Sequence, residues 1–249
     1  MRPPPPRVVS LVPSLTEAIA VTVPGALVGA TNWCTHPAGL DVTRVGGTKN
    51  PDVERIAALA PDLVVANEEE NRAADLDALR AAGPEVLVTE VRDVPQAFRE
   101  LERVVAACGA RSRPGWLDRA EETWDGLPRP RRRASAVVPV WRRPWMVLGR
   151  DTFAGDVLAR LGVDNVYAGH AERYPRVPPA ELRAAAPDLV VLPDEPYRFG
   201  PDDGPEAFPG LRCALVSGRH LTWYGPSLAE APAVLGAALA DAGLPPHPA

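Results

Sequence analysis

Lysine is almost missing: Lys49 is the single one, and arginine carries the rest of the positive charge. Acidic residues outnumber basic ones by 32 to 27, for a formal net charge of -5. Such a chain sets up no broad positive field, so nucleic acid is not an expected partner. Cysteine is scarce as well. Cys34, Cys108 and Cys213 are odd in number and widely spaced, which excludes a disulfide framework. Neither C-x-x-C nor H-E-x-x-H occurs, so spacing gives no closed zinc site. No apolar run approaches the roughly 20 residues that span a bilayer as a helix, and the chain is not expected to be membrane-spanning. The start lacks the pattern of a secretory signal. Met1-Arg2 is followed by Pro3 to Pro6 and then by the short apolar run Val8 to Val12, whereas a signal needs an apolar stretch of about 7–15 residues and a small-residue cleavage site. The sequence therefore predicts a cytoplasmic protein, exported only if a signal peptide has been trimmed from it.

What is present is ordinary globular material. Of 249 residues, 46% are hydrophobic and 24% charged, too apolar for a disordered chain and long enough for one or two domains with a real core. The 30 prolines restrict the unfolded chain wherever their fixed φ suits the fold.

The pattern along the chain is strand, turn, helix, repeated. Arg7 to Val12 reads as a buried strand broken by Pro13. Ser14-Leu15-Thr16-Glu17 has capping-box spacing, which predicts a helix from Leu15 to Val21 with Ser14 at its cap. Strands are expected at Leu27–Thr31, Leu63–Ala66 and Val86–Val88. Helices are expected at Val53–Ala60, at Leu76–Ala82 before Gly83, and at Val94–Cys108 before Gly109. Pro114–Trp124 is a further helical candidate, and the Pro- and Arg-rich stretch Leu127–Arg133 marks a boundary. A second series follows, with a strand at Ala134–Trp141, a helix at Thr152–Leu161, strands at Leu189–Leu192 and Ala214–Val216, and a terminal helix at Ser227–Ala242. The fold class expected is α/β with two Rossmann-like lobes, an N-terminal lobe over residues 1–109, a linker over 110–133 and a C-terminal lobe over 134–249.

An internal echo supports two related lobes. Ala60-Pro61-Asp62-Leu63-Val64-Val65 matches Ala186-Pro187-Asp188-Leu189-Val190-Val191, about 126 residues later. That separation is too long for a solenoid repeat. Each copy follows an Ala-rich helix and precedes an acidic loop.

Open α/β sheets bind ligands beyond the carboxyl ends of their strands. In the first lobe those loops hold Ser14, then Trp33 to His36, then Asn67 to Arg72. In the second they hold Arg142 to Trp145, Glu195 to Phe199 and His220 to Tyr224. Aromatics concentrate there or at the loop edges, namely Trp33, Trp141, Trp145, Trp223, Tyr197 and Tyr224. Flat rings with a few polar groups suit a large, flat, partly apolar ligand. Within Trp33-Cys34-Thr35-His36, three readings stay open. Cys34 and His36 form a nucleophile and base, His36 ligates a metal with Glu68, Glu69 or His220, or His36 makes an ordinary loop hydrogen bond.

Several ordered segments resemble the cobalamin and ferric-siderophore substrate-binding family, the periplasmic-binding-protein-like, helical-backbone metal receptors of bacterial uptake systems. They are Arg7 to Glu17, Val28-Gly29-Ala30-Thr31, Val45 to Ile56, Ala60 to Val65, Gly149-Arg150-Asp151-Thr152-Phe153 and Leu161 to Val166. The pattern is most similar to the cobalamin-binding branch. The resemblance implies two lobes joined by a helical linker, a ligand cleft between them, and binding without catalysis or an intrinsic cofactor. It implies a corrinoid, heme, a ferric siderophore or another metal chelate as ligand. On this resemblance the ligand-binding residues are Ser14, Trp33, His36, Asn67, Glu69, Arg72, Arg142, Trp145, Trp223 and Tyr224, with His36 as the metal ligand.

Where such receptors feed an ABC permease, one glutamate per lobe docks on it. Here the first corresponds to Glu54. The matching place in the second lobe is Ala180, with Glu181 one residue later and so turned by about 100° on a helix. Pro114, Gly115, Gly126, Pro128 and Pro130 predict an irregular linker. The alternatives carried forward are a metal-dependent or cysteine-based enzyme on the same lobes, and a transporter-docked receptor whose signal peptide is absent.

Overall fold

The computed structural model describes residues 6–130 and 133–244; residues 1–5, Arg131, Arg132 and residues 245–249 lie outside them, and with them part of the expected Leu127–Arg133 boundary. The chain divides into two compact units. Of the described residues, the first comprises those up to Val91, Pro95–Arg119 and Tyr224–Pro226; the second comprises Arg92–Val94, those from Ala120 to Trp223, and those from Ser227 to Leu244.

The first unit is built on β1 (Val8–Ser10), α1 (Pro13–Thr22), β2 (Leu27–Ala30), β3 (Thr43–Arg44), β4 (Gly46–Gly47), β5 (Asn50–Pro51), α2 (Val53–Ala58), β6 (Leu63–Asn67), α3 (Ala73–Ala81) and β7 (Glu85–Thr89). Helices α4 (Val94–Ala107) and α5 (Gly115–Asp125) follow. Five strands pair in parallel in the order β3-β2-β1-β6-β7. Every residue of β1 and β6 is buried, as expected of parallel strands covered on both faces. Val9, Leu11, Val45, Ile56, Val64, Ala66, Leu76 and Leu79 form one continuous core. Gly109 takes φ +93° just past α4, a left-handed stop that glycine adopts without a Cβ clash.

The expected capping box is corrected here. The cap of α1 is Val12, in extended conformation, and Pro13 occupies the first turn. Proline's fixed φ and missing N–H suit that position, so Pro13 starts the helix as well as ending the strand. Ser14 lies inside the first turn, and the Thr16 hydroxyl donates to the Val12 carbonyl at 2.9 Å.

The second unit contains β8 (Ala134–Val137), β9 (Pro139–Trp141), β10 (Met146–Val147), α6 (Phe153–Arg160), β11 (Val163–Asn165), α7 (Pro179–Ala184), β12 (Leu189–Pro193), β13 (Cys213–Val216), α8 (Gly218–Thr222) and α9 (Ala231–Asp241). Its parallel sheet runs β11-β8-β12-β13. Two expectations change. The single strand Ala134–Trp141 is two: Pro139 has no N–H for a sheet ladder, and from there the chain leaves the parallel sheet for an antiparallel β9-β10 hairpin. The terminal helix starts later than Ser227. A 3-10 turn covers Pro226–Ala229, and α9 begins at Ala231 with Pro232 in its first turn, the place where proline is tolerated.

The echo in the sequence is a structural device repeated in each unit. Ala60 and Ala186 both take left-handed φ, 45° and 47°. The aspartate two residues on then reaches the neighbouring strand. Asp62 accepts from the Arg7 amide at 2.7 Å, and its own amide donates back to the Arg7 carbonyl at 2.8 Å. Asp188 accepts from the Ser135 amide at 2.7 Å, with the return bond to the Ser135 carbonyl at 2.9 Å. The bond from the Ser135 amide lowers the Asp188 carboxyl from its ordinary value, with the Ser135 hydroxyl adding to the effect. Each device sits at the amino ends of its sheet's central strands. Among the described residues no helix is long and apolar enough to cross a membrane.

Candidate functional site

In each sheet the strand order reverses direction at one place, between β1 and β6 in the first unit and between β8 and β12 in the second. Crevices outside the carboxyl ends of strands at such points are where α/β sheets hold ligands.

In the first unit the loop after β2 carries Trp33 on display, 66% exposed. The loop is not slack. Arg44, on β3, donates from its guanidinium to the carbonyls of Thr31 (2.9 Å), Cys34 (2.8 Å) and Leu40 (3.2 Å). Three bonds from one charged fork fix the loop's path. Sequence reasoning missed Arg44 because a two-residue strand leaves no periodic signal. Cys34 turns inward. It is buried, and its sulfur meets the Thr16 hydroxyl at 3.0 Å and the Thr31 hydroxyl at 3.1 Å. Burial pushes this thiol up, more than those bonds and Arg44 pull it down. A nucleophilic cysteine needs the opposite shift. His36 is half-buried, with Nδ1 3.2 Å from the Thr35 hydroxyl.

The loop after β6 is organised by Asn67, which is 2% exposed. Its side-chain amide donates to the Thr89 carbonyl (3.0 Å) and hydroxyl (3.1 Å). Its Oδ1 accepts from the amides of Glu69 (2.9 Å) and Glu70 (3.3 Å). Asn67 thus spends its polar atoms inside the protein and sets the direction of the acidic loop. Asn71 ties the same loop to the Thr48 carbonyl at 2.9 Å. Lys49 donates to the Glu69 carbonyl. Burial holds the Glu70 carboxyl above its usual range, against the pull of Lys49 and with the help of Glu69. Arg72 is exposed and pairs with Asp75 at 2.8 Å. Ser14 and Tyr224 are nearly buried, and a Cβ on Gly225 would stand 3.1 Å from the Ser14 carbonyl oxygen, so the Tyr224 segment runs close against the start of α1.

In the second unit the β9-β10 hairpin and the loop after β12 build an aromatic ledge. Trp145 stacks on Phe199 (5.9 Å between centroids, 18° between planes) and meets Phe208 edge-on at 5.4 Å. Trp141, 43% exposed, meets Tyr197 edge-on at 5.7 Å, and Tyr197 meets Phe199 at 4.7 Å. The Arg142 guanidinium lies over the Trp145 ring at 5.3 Å and pairs with Asp203 and Glu206. The sequence pointed to Arg142 and Trp145 but not to the two acids, whose position depends on a tight turn at Gly200–Asp203.

Trp223 is 8% exposed and donates from Nε1 to Glu195 at 2.9 Å. The chains approach closely there: a Cβ on Gly218 would fall 2.5 Å from the Glu195 amide nitrogen, so only glycine fits. His220 has both ring nitrogens engaged, with the Ser217 hydroxyl at 2.7 Å and Glu230 at 3.0 Å. That bond is the main reason the Glu230 carboxyl sits below its usual range. Among the described residues no three His, Cys, Asp or Glu side chains gather into a group that could hold a metal ion. A cavity of about 530 Å³ opens in the second unit, lined by Met146, His170, Glu172, Tyr174, Pro175 and Arg176. Apart from Met146 on β10, its residues follow β11, a strand that sequence reading did not resolve.

Glu54 and Glu181 are both exposed, on α2 and α7. Aligned on Ala60 and Ala186, Glu54 matches Ala180, and Glu181 is offset by one residue.

Comparison with known proteins matches this construction. A vitamin B12-binding protein of Pectobacterium atrosepticum is 22% identical over 207 residues, covering 76% of this chain and 71% of that one. An uncharacterized ABC transporter substrate-binding lipoprotein of Bacillus subtilis is 33% identical over 118 residues, 45% of this chain and 37% of its own length. Among solved structures, the periplasmic vitamin B12 binding protein of Vibrio cholerae superposes with a TM-score of 0.75 at 18% identity, covering 96% of this chain and 98% of that one. A periplasmic heme-binding protein from Roseiflexus sp. RS-1 gives 0.78 at 22% identity, covering 97% and 100%. These likenesses establish the fold. The sequence pattern of the family described as periplasmic binding protein runs over residues 8–203, from β1 through the loop that carries Asp203, and the chain belongs to that family.

Proposed function

We propose that this protein is a non-catalytic receptor for a corrinoid or a similar flat metal chelate. The observation that carries the reading is the exposed, clamped Trp33 loop in one unit and the aromatic ledge around Trp145 in the other, each at the carboxyl ends of its sheet's strands. Pre-set aromatic faces with few polar groups suit a large flat ligand. The relatives named for vitamin B12 and heme binding support that ligand class. In this reading Trp33, Trp145, Trp223 and Tyr224 are the aromatic side chains that meet the ligand. Ser14, Glu69, Arg72 and Arg142 make the polar rim, and Asn67 positions Glu69. His36 is the axial nitrogen for a metal that accepts one.

Binding without catalysis fits the chemistry of Cys34, whose raised, doubly bonded thiol is a poor nucleophile. In the same reading the chain serves an ABC permease, with exposed Glu54 and Glu181 as docking carboxylates; such charge pairs orient a complex more than they tighten it. The periplasmic and lipoprotein names of the family and its relatives favour a receptor outside the cytoplasm and lend no support to the cytoplasmic expectation.

Titration with cyanocobalamin, hemin and a ferric siderophore, followed by tryptophan fluorescence, tests the proposal. Saturable 1:1 quenching by at least one of them at micromolar concentration or below is the expected result. No quenching by any of the three overturns it.

A further inference from the structure

The polar rim of the ledge carries its charge in an unusual order. Arg142 is the cation that lies over Trp145, yet it is the least accessible member of its group: its side chain is 17% exposed, against 46% for Asp203 and 48% for Glu206. Both acids are held from behind. Asp203 closes a tight turn through two backbone bonds with Gly200, at 3.0 and 3.2 Å, and accepts the Tyr197 hydroxyl at 2.7 Å. Glu206 accepts the Gly204 amide at 2.5 Å. One guanidinium balances one carboxylate, so the group as a whole is left with one negative charge, and that charge is on the outward side.

We infer that Asp203 and Glu206 set the ligand specificity of the ledge: they occupy Arg142, so that the ledge takes a flat chelate with uncharged, amide-bearing edges and disfavours one with ionised carboxylates. The inference rests on the chelate-receptor reading above and divides the ligands that reading allows. An Arg free to form paired bonds is a strong carboxylate binder. An Arg whose two terminal nitrogens each already meet an acid has its end-on fork occupied, and the acids repel a second carboxylate by Coulomb's law at partly solvated dielectric.

The test compares hemin, whose two propionates are ionised, with cyanocobalamin, whose side chains are amides. Absorbance and tryptophan quenching are measured for the wild-type chain and for the Asp203→Asn/Glu206→Gln double variant. The wild type is expected to prefer cyanocobalamin. In the double variant the ratio of hemin to cyanocobalamin affinity is expected to rise about tenfold at low salt, and the gain is expected to shrink at high salt. Glu206→Gln alone leaves the Asp203 turn intact and is expected to give roughly a threefold rise, by the same Coulomb argument; it decides the matter if the double variant fails a thermal-melt check. Wild-type binding of cyanocobalamin with an unchanged ratio in the variants overturns the specificity inference and leaves the receptor reading standing. Wild-type preference for hemin also overturns the inference. Binding of neither ligand, nor of the ferric siderophore, brings down the receptor reading and the inference with it.

Discussion

Replacing Asn67 tests whether the acidic loop is held by one side chain. In Asn67→Ala the amides of Glu69 and Glu70 lose their acceptor, and the Thr89 hydroxyl loses a donor. The Thr89 carbonyl still receives the Glu68 amide at 3.1 Å, so it is not orphaned. Three of the four bonds made by the side chain are 3.1 Å or shorter, and at about 1 kcal/mol net for each the variant should lose roughly 3 kcal/mol. Asn67→Asp separates the two halves of the network. A carboxylate can still accept from Glu69 and Glu70, but its other oxygen faces the Thr89 carbonyl, which only a protonated acid can satisfy. Burial and that carbonyl raise the folded-state pKa of the new acid above its unfolded value. The sign follows: the variant is best tolerated below the unfolded pKa, and stability is lost as pH rises through the folded one. Urea unfolding at pH 4.5 and pH 8, each referenced to wild type, reads both effects. The Ala penalty should be flat with pH and the Asp penalty larger at pH 8. An Ala variant within 1 kcal/mol of wild type, or an Asp penalty equal at the two pH values, refutes the account of this loop.

Trp33→Ala should weaken chelate binding by at least tenfold, as expected for loss of a stacking face, and leave the melting temperature almost unchanged, because the ring is 66% exposed. Ala60→Gly and Ala186→Gly should each stabilise the protein by about 1 kcal/mol, because both alanines hold left-handed φ that glycine adopts at less cost; thermal melts should rise by roughly 2–4 °C per site, and a fall at either site would contradict the strain argument. Iodoacetamide at pH 8 should modify half-buried Cys213 first and leave Cys34 and Cys108 intact in native protein. Burial pushes the Cys108 thiol up to about 12, leaving a thiolate fraction on the order of 10⁻⁴ at that pH. Peptide mass mapping reads the result.

The elements that sequence revealed best are those whose burial is uniform. β6 and β12 are five-residue buried runs, and their Ala-Pro-Asp lead-ins made the echo visible. The start of α1 was misread because Ser14 and Glu17 imitate a capping box that Pro13 pre-empts. β3, β4, β5 and β10 are two residues each, too short for any period. That Trp33, Arg142 and Trp145 stand on loops following strands was legible in the sequence. Their partners were not. Arg44 reaches Cys34 and Thr31, 10 and 13 positions away, and Asp203 and Glu206 reach Arg142, 61 and 64 positions away, and no local pattern marks such contacts. The bonds of Asn67 to Thr89 and to the Glu69 and Glu70 amides likewise leave no mark in the local sequence.

The Ala-Pro-Asp devices have a consequence for how this protein can change. In each unit the bonds that lock the central strands lie at one end of the sheet, and the loops that would meet a ligand lie at the other. The clasp that holds strand register and the loops that would meet a ligand are therefore at opposite poles of the same strands. A loop at the recognition pole can be exchanged while the clasp at the far pole goes on holding register, so new ligands are within reach of a few loop substitutions on an unaltered frame.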